Sequence, residues 1–168
     1  MPDTDTLKKQ PNSRMCFVCG AKNSGGLKAS FYEQPDGSIV ARFRGTEQHQ
    51  GYPGRMHGGV ISGIMDETIG RAIMVDLPPG KEVWGVTVEL TVRYRKPVPL
   101  DVELQAVGRL TRDTRLLFEG TGELLMPDGE VAVEAKGRYV KMPVERIADW
   151  DSDAEEWRVI PEDEGAPQ

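Results

Sequence analysis

Apolar and polar residues alternate with period two along much of the chain, and in one stretch the period changes. Between Val83 and Val98 the even positions Trp84, Val86, Val88, Leu90, Val92 and Tyr94 are apolar, and the odd positions Thr87, Glu89, Thr91, Arg93 and Arg95 are polar. Successive side chains of a strand point to opposite faces, so this pattern predicts a strand covered on one side. Val102, Leu104, Ala106 and Leu110 repeat it against Asp101, Glu103, Gln105 and Arg109. Runs Leu116–Met126 and Val131–Lys141 follow, joined by Pro127-Asp128-Gly129. Upstream, Leu27–Glu33 and Ile39–Phe43 flank Gln34-Pro35-Asp36-Gly37-Ser38, where Pro and Gly supply turn geometry.

The period changes between Gly58 and Leu77. Val60, Ile61, Ile64, Met65, Ile69, Ala72, Ile73 and Val75 cover most of a helical circumference, and a helix apolar nearly all round is a buried one. Pro78-Pro79-Gly80 stops it. One long helix and about six strands, mostly joined by turns too short for parallel crossovers, predict an α+β domain. In it a curved antiparallel sheet wraps around a single helix. Gly59, Gly63 and Gly70 each cost that helix roughly 1 kcal/mol against alanine, and close approach to the sheet is their expected return.

This patterning divides the chain into a polar, flexible lead-in over 1–14, the domain over 15–142, and a tail over 143–168. Ile147, Trp150, Ala154 and Trp157 recur at helical spacing among the acids of the tail. That spacing predicts a short helix docked on the body or on a second subunit.

Charge sharpens the division. The tail holds nine acids and two bases, so it carries −7 of the net −6, and the rest has 18 acids against 19 bases. A near-neutral body with an acidic tail argues against a nucleic-acid partner. No run reaches the roughly 18 apolar residues of a membrane span. The first residues lack the apolar core of a secretion signal, so a cytoplasmic protein is expected.

The two cysteines, Cys16 and Cys19, are spaced C-x-x-C. A structural zinc usually takes four ligands and no second pair follows, so no metal is expected. A zinc shared between two subunits or a redox pair are the alternatives to two small side chains in a loop.

The chemistry concentrates in "HQGYPGRMHGGVISGIMDETIG", His49 to Gly70, which holds both histidines. The helix starts on His57-Gly58-Gly59. Glycines there let a ligand approach the backbone, and the first-turn N–H groups carry the positive end of the helix dipole. Pointed at a carbonyl, they form an oxyanion hole. Asp66 and Glu67 follow, about 100° apart around the helix. One suits a cavity and the other an ion pair with Arg71, four residues after Glu67. Helix-start donors plus a carboxylate, without a Gly-x-Ser-x-Gly motif, point to hydrolysis of an activated acyl group.

"QGYPGRMHGGVISGIMDETIG" resembles the hotdog-fold thioesterase superfamily, in its branch of small acyl-CoA thioesterases like those of phenylacetate degradation. Gln50-Gly51, Pro53-Gly54, His57-Gly58-Gly59 and an acid nine residues after the histidine carry the likeness. "CFVCGAKNSGGL" and "VTVELTVRYRKPVPL" resemble its N-terminal element and the strand after its helix.

The resemblance implies that Asp66 is the catalytic carboxylate, as general base or nucleophile, with Gly58 and Gly59 N–H groups on the thioester carbonyl and His57 shaping the turn. It places Thr87 where relatives position water, and makes Arg93, Arg95 and Lys96 candidates for coenzyme A phosphates. Gln50 stands in for an asparagine of some relatives, and Glu67 counts among the substrate-side candidates. It implies no cofactor beyond the coenzyme A of the substrate, and a homodimer or dimer of dimers. Thr87 lies on the polar face of its strand, so it is expected to reach Asp66 from the other subunit. A dehydratase of this fold would need a different histidine spacing, and a non-catalytic acyl-CoA sensor would act through the Trp150/Trp157 tail.

Overall fold

A computed structural model describes residues 7–161. Its strands are β1 (Lys8–Lys9), β2 (Ser30–Glu33), β3 (Ile39–Arg44), β4 (Gly85–Tyr94), β5 (Glu103–Asp113), β6 (Leu117–Leu125) and β7 (Val131–Lys141), and its helix is α1 (Gly58–Arg71). They form one antiparallel sheet in the order β1-β2-β3-β5-β6-β7-β4. The α+β architecture read from the sequence is present: the sheet curves around α1. The seventh strand is β1, inside the stretch expected to be a loose lead-in. Gln10, Asn12 and Ser13 are buried beside it, so the chain from Lys8 belongs to the body. Residues 1–6 and 162–168 of the predicted lead-in and tail lie outside the described residues.

Ile61, Ile64, Met65 and Ile69 of α1 pack on Phe43, Leu104, Ala106, Phe118, Leu124, Val133 and Ala135 from the sheet's inner face. The tightest approach of helix and sheet comes from glycines of the sheet, and of Gly59, Gly63 and Gly70 only Gly70 faces the sheet. A Cβ on Gly108 would fall 2.6 Å from the Thr68 carbonyl oxygen, and one on Gly122 2.8 Å from Met65. Gly63 faces Val18 and Phe17 instead, and Gly70 faces the Tyr139 ring of β7 at an ordinary 3.4 Å. The helix is also shorter than predicted, passing after Arg71 into a 3-10 turn over Ala72–Met74.

Burial is one-sided. Ser62, Gly63, Asp66 and Gly70 form a half-open stripe along α1. The tail forms a 3-10 turn (Val144–Arg146) and further turns where a short helix was predicted.

Candidate active site

The loop before α1 fixes the start of the helix. His49 is buried, its Nδ1 accepting from the Thr46 N–H (2.9 Å) and its Nε2 lying 3.1 Å from the Gly25 carbonyl. A carbonyl only accepts, so Nε2 carries the proton. The His49 carbonyl accepts the His57 N–H (2.8 Å), and Gln50 Oε1 accepts from Gly54 N–H (3.1 Å). Gln50 thus braces the loop.

His57 caps the helix, its Nδ1 accepting the Gly59 N–H at 2.9 Å. Of the two donors expected at the helix start, Gly59 is therefore engaged by its own cap. The Gly58 N–H has no protein acceptor among the described residues. The Gly58 carbonyl accepts from Tyr94 OH (2.7 Å) and Ser62 Oγ (3.1 Å).

Eight residues on, Asp66 is half-buried. Thr87 Oγ1 lies 3.0 Å from each carboxylate oxygen, and Tyr139 OH lies 3.0 Å from Oδ1 and 2.9 Å from the Asp66 backbone carbonyl. Two hydroxyl protons cannot fill the roughly four lone-pair sites of a carboxylate, so Asp66 can still accept from a water. Burial raises its pKa, and the adjacent Glu67 charge adds to this, against the lowering effect of the Thr87 and Tyr139 hydrogen bonds. Burial and the Asp66 charge push Tyr139 upward, keeping its hydroxyl a donor.

Thr87 reaches Asp66 within its own chain, which corrects the expectation that it arrives from a partner. The reason is a β-bulge. Thr87 pairs with Tyr139 and Glu89 with Arg138, so Val88 is an extra residue on β4. A bulge reverses the alternation beyond it. Leu90 and Val92 pack on the core, whereas Val86 and Val88, predicted to share their face, are 37% and 55% exposed.

Asp66, Thr87 and Tyr139 stand on a cavity of about 330 Å³, with Cys16 and Cys19 on one side and Trp84, Trp150 and Trp157 on another. Glu67 also lines it, but both its oxygens are engaged. Oε1 pairs with Arg71 (2.9 Å to Nε, 2.8 Å to Nη2) and Oε2 accepts from the Cys16 thiol at 3.2 Å. Arg71 is 3% exposed and lies over the Phe31 ring, 4.1 Å from its centroid. A fully buried cation depends on its counterion: Glu67→Ala is expected to cost about 3–5 kcal/mol of stability, read by denaturant unfolding.

Contact with Cys19, burial and the Glu67 charge hold the proton on Cys16, while the Cys16 hydrogen bond and Arg71 lower Cys19 to about 7. Glu67 is a third donor that cysteine spacing could not reveal. With the two thiols its oxygen lies within a 4.8 Å cluster, one ligand short of a closed tetrahedral set.

The other basic candidates sit at the far end of β4, beside the helix start. Arg95 pairs with Glu134 (2.7 Å) and Lys96 with Glu130, and Arg93 is exposed on the outer face. Sequence reasoning missed Tyr139 and Tyr94. Tyr139 has the parity of Val133 and Ala135, and a buried tyrosine hydroxyl needs a partner, so β7 carried the signal.

The family profile described as the thioesterase superfamily matches residues 53–133, from the loop before α1 into β7. A crystal structure of a thioesterase superfamily protein is 31% identical, with a TM-score of 0.59 over 67% of this chain and 53% of that one. The chain is similar to members of the thioesterase superfamily. Over 119 residues it is 29% identical to acyl-coenzyme A thioesterase THEM4 of Mus musculus, covering 70% of this chain and 49% of that one. The Bos taurus THEM4 matches at 25% over 132 residues, covering 77% and 52%. The chain thus spans about half the length of these curated relatives. A Bacillus halodurans protein crystallised with CoA shares the fold, with a TM-score of 0.58 and 23% identity over 67% of this chain and 73% of that one. No described helix is long and apolar enough to cross a membrane.

Proposed function

We propose that the protein hydrolyses the thioester of an acyl-coenzyme A, with Asp66 as general base. The observation that carries this is the Asp66 carboxylate, held by Thr87 and Tyr139 at a cavity in a thioesterase-superfamily fold, with lone pairs left for water. Water gives its proton to Asp66 as its oxygen bonds to the acyl carbon. The carbonyl electrons move to an oxyanion, the tetrahedral intermediate collapses, the C–S bond breaks, and Asp66 returns the proton to the coenzyme A sulfur. No cofactor is needed beyond the coenzyme A that the substrate carries. The relatives named acyl-coenzyme A thioesterase support the substrate class.

The oxyanion donor comes from a second copy. Eight residues at 1.5 Å each put the Gly58 N–H about 12 Å along the axis from Asp66, whereas a carbonyl's carbon and oxygen are about 1.2 Å apart. One chain cannot present both to one thioester. Two α1 helices laid antiparallel in a symmetric dimer would set Asp66 and Thr87 against Gly58 of the partner subunit, twice. The free edge of β4, the half-open stripe of α1 and the exposed Phe17, Val88 and Tyr94 support this pairing. Arg93, Arg95 and Lys96, beside the helix start, would face the coenzyme A phosphates. A soluble, cytoplasmic dimer without nucleic-acid partners completes the reading.

The rate should fall on acidification as Asp66 takes its proton. Because Asp66 is raised, the acid limb of kcat/KM should lie above the ordinary carboxylate value of about 3.9. Tyr139→Phe removes a hydrogen bond that favours the ionised form, so it should move that limb upward. A limb unmoved, or moved down, would separate Asp66 from the rate. Hydrolysis of no acyl-CoA by the native protein, despite tight binding, would return the sensor reading.

A further inference from the structure

We infer that the Trp84–Trp150–Trp157 cluster is the end wall of an acyl pocket, so that the C-terminal segment restricts the enzyme to short and medium acyl chains. This rests on acyl-CoA hydrolysis at Asp66. The cavity is lined by Asp66, Thr87, Gly70, Gly85, Met74 and the three indoles. Asp66 and Gly70 are four residues apart on α1 and share one face. Gly70 lines the cavity beyond the carboxylate with backbone alone. The indole centroids lie 5.0 Å (Trp84–Trp150), 5.2 Å (Trp84–Trp157) and 5.8 Å (Trp150–Trp157) apart.

This wall is anchored. Asn12 and Arg158 exchange backbone hydrogen bonds (2.9 and 3.2 Å), and the Arg14 N–H donates to the Glu155 carbonyl (2.8 Å). Lys22 pairs with Glu156 (2.6 Å), Ile160 is buried, and the Arg71 guanidinium lies 5.3 Å from the Trp157 ring centroid. Residues 12–22 and 155–160 therefore clasp each other beside the cavity. Both clasping segments lie outside residues 53–133, the stretch that the family profile matches. A cavity of about 330 Å³ is at the small end of ligand pockets, roughly 300–1,000 Å³. An extended long chain needs the wall removed.

The test measures kcat/KM on butanoyl-, octanoyl-, dodecanoyl- and hexadecanoyl-CoA, using the full chain. The native protein should lose at least tenfold between the octanoyl and hexadecanoyl substrates. Trp157→Ala and, independently, Trp150→Ala should raise the hexadecanoyl-to-butanoyl ratio at least tenfold, and Trp157→Phe should keep the native ratio. The acid limb of the pH profile should not move in any of these variants. A ratio unchanged within twofold in whichever alanine variant remains folded by thermal unfolding would overturn the wall, as would native preference for the longest chain. If both alanine variants unfold, the native chain-length profile alone decides. Failure of the native protein on every chain length instead overturns the hydrolase reading.

Discussion

Asp66→Asn should lower kcat for acyl-CoA hydrolysis by about 10²–10⁴-fold, the usual contribution of a positioned general base, without loss of thermal stability. The two effects share one cause. Burial outweighs the hydrogen bonds from Thr87 and Tyr139 and raises the folded-state pKa of Asp66 above its unfolded value. Between those two values the folded protein binds more protons than the unfolded one, so stability falls as pH rises through that window. The deficit is complete above the folded pKa. Asparagine keeps the shape and an acceptor oxygen for Thr87 and Tyr139 but carries no charge, so the deficit disappears. The variant should melt at or above the native temperature at pH 7, and the difference should shrink on acidification. Its neighbour behaves oppositely, since Glu67→Ala strands the buried Arg71. A rate within about fivefold of native, under 1 kcal/mol of barrier, would remove Asp66 from the mechanism. A markedly lower melting temperature would mean that the carboxylate serves the fold.

Asp66, His57-Gly58-Gly59 and the helix that links them were legible in the sequence because each leaves a local mark: an acid in an apolar run, glycines at a helix start, a proline stop. The strand order was partly legible for the same reason, since turns such as Pro127-Asp128-Gly129 bind neighbours in sequence to neighbours in space. Thr87 was misplaced because parity was carried unbroken along β4. One extra residue at Val88 reverses the inward face, and no residue type announces a bulge. Glu67 and Cys16 meet across 51 positions, and Trp84 meets Trp150 and Trp157 only after the sheet has closed. Such contacts are set by tertiary packing, which periodicity does not encode. The helix glycines misled in part for a related reason: Gly63 makes room for the N-terminal loop, and while Gly70 does face Tyr139 of β7, the closest contacts come from the sheet's own Gly108 and Gly122.

Mixing two inactive variants should restore activity if the site is shared as proposed. Gly58→Pro is the second lesion. Proline suits the first helical position, where its missing N–H breaks no helical bond. His57, at φ −66° and ψ 136°, already has the conformation a residue before proline adopts. A Cβ at Gly58 would meet the Tyr94 ring at an ordinary 3.6 Å, so the substitution removes a donor with little other disturbance. Loss of one oxyanion donor should cost about 10²–10³ in kcat, and Gly58→Ala, which keeps the N–H, should stay near native. Asp66→Asn and Gly58→Pro chains are then unfolded together and refolded. In a mixed dimer one site collects both lesions and the other collects neither. Random pairing makes about half the dimers mixed, so about a quarter of all sites regain native function by that symmetry. Asp66→Asn mixed with Thr87→Ala should regain nothing, because those two residues share a chain and every site keeps one lesion. Recovery in the second mixture but not the first would reverse the partition. Recovery in neither, with Gly58→Pro itself impaired, would place the whole site within one chain.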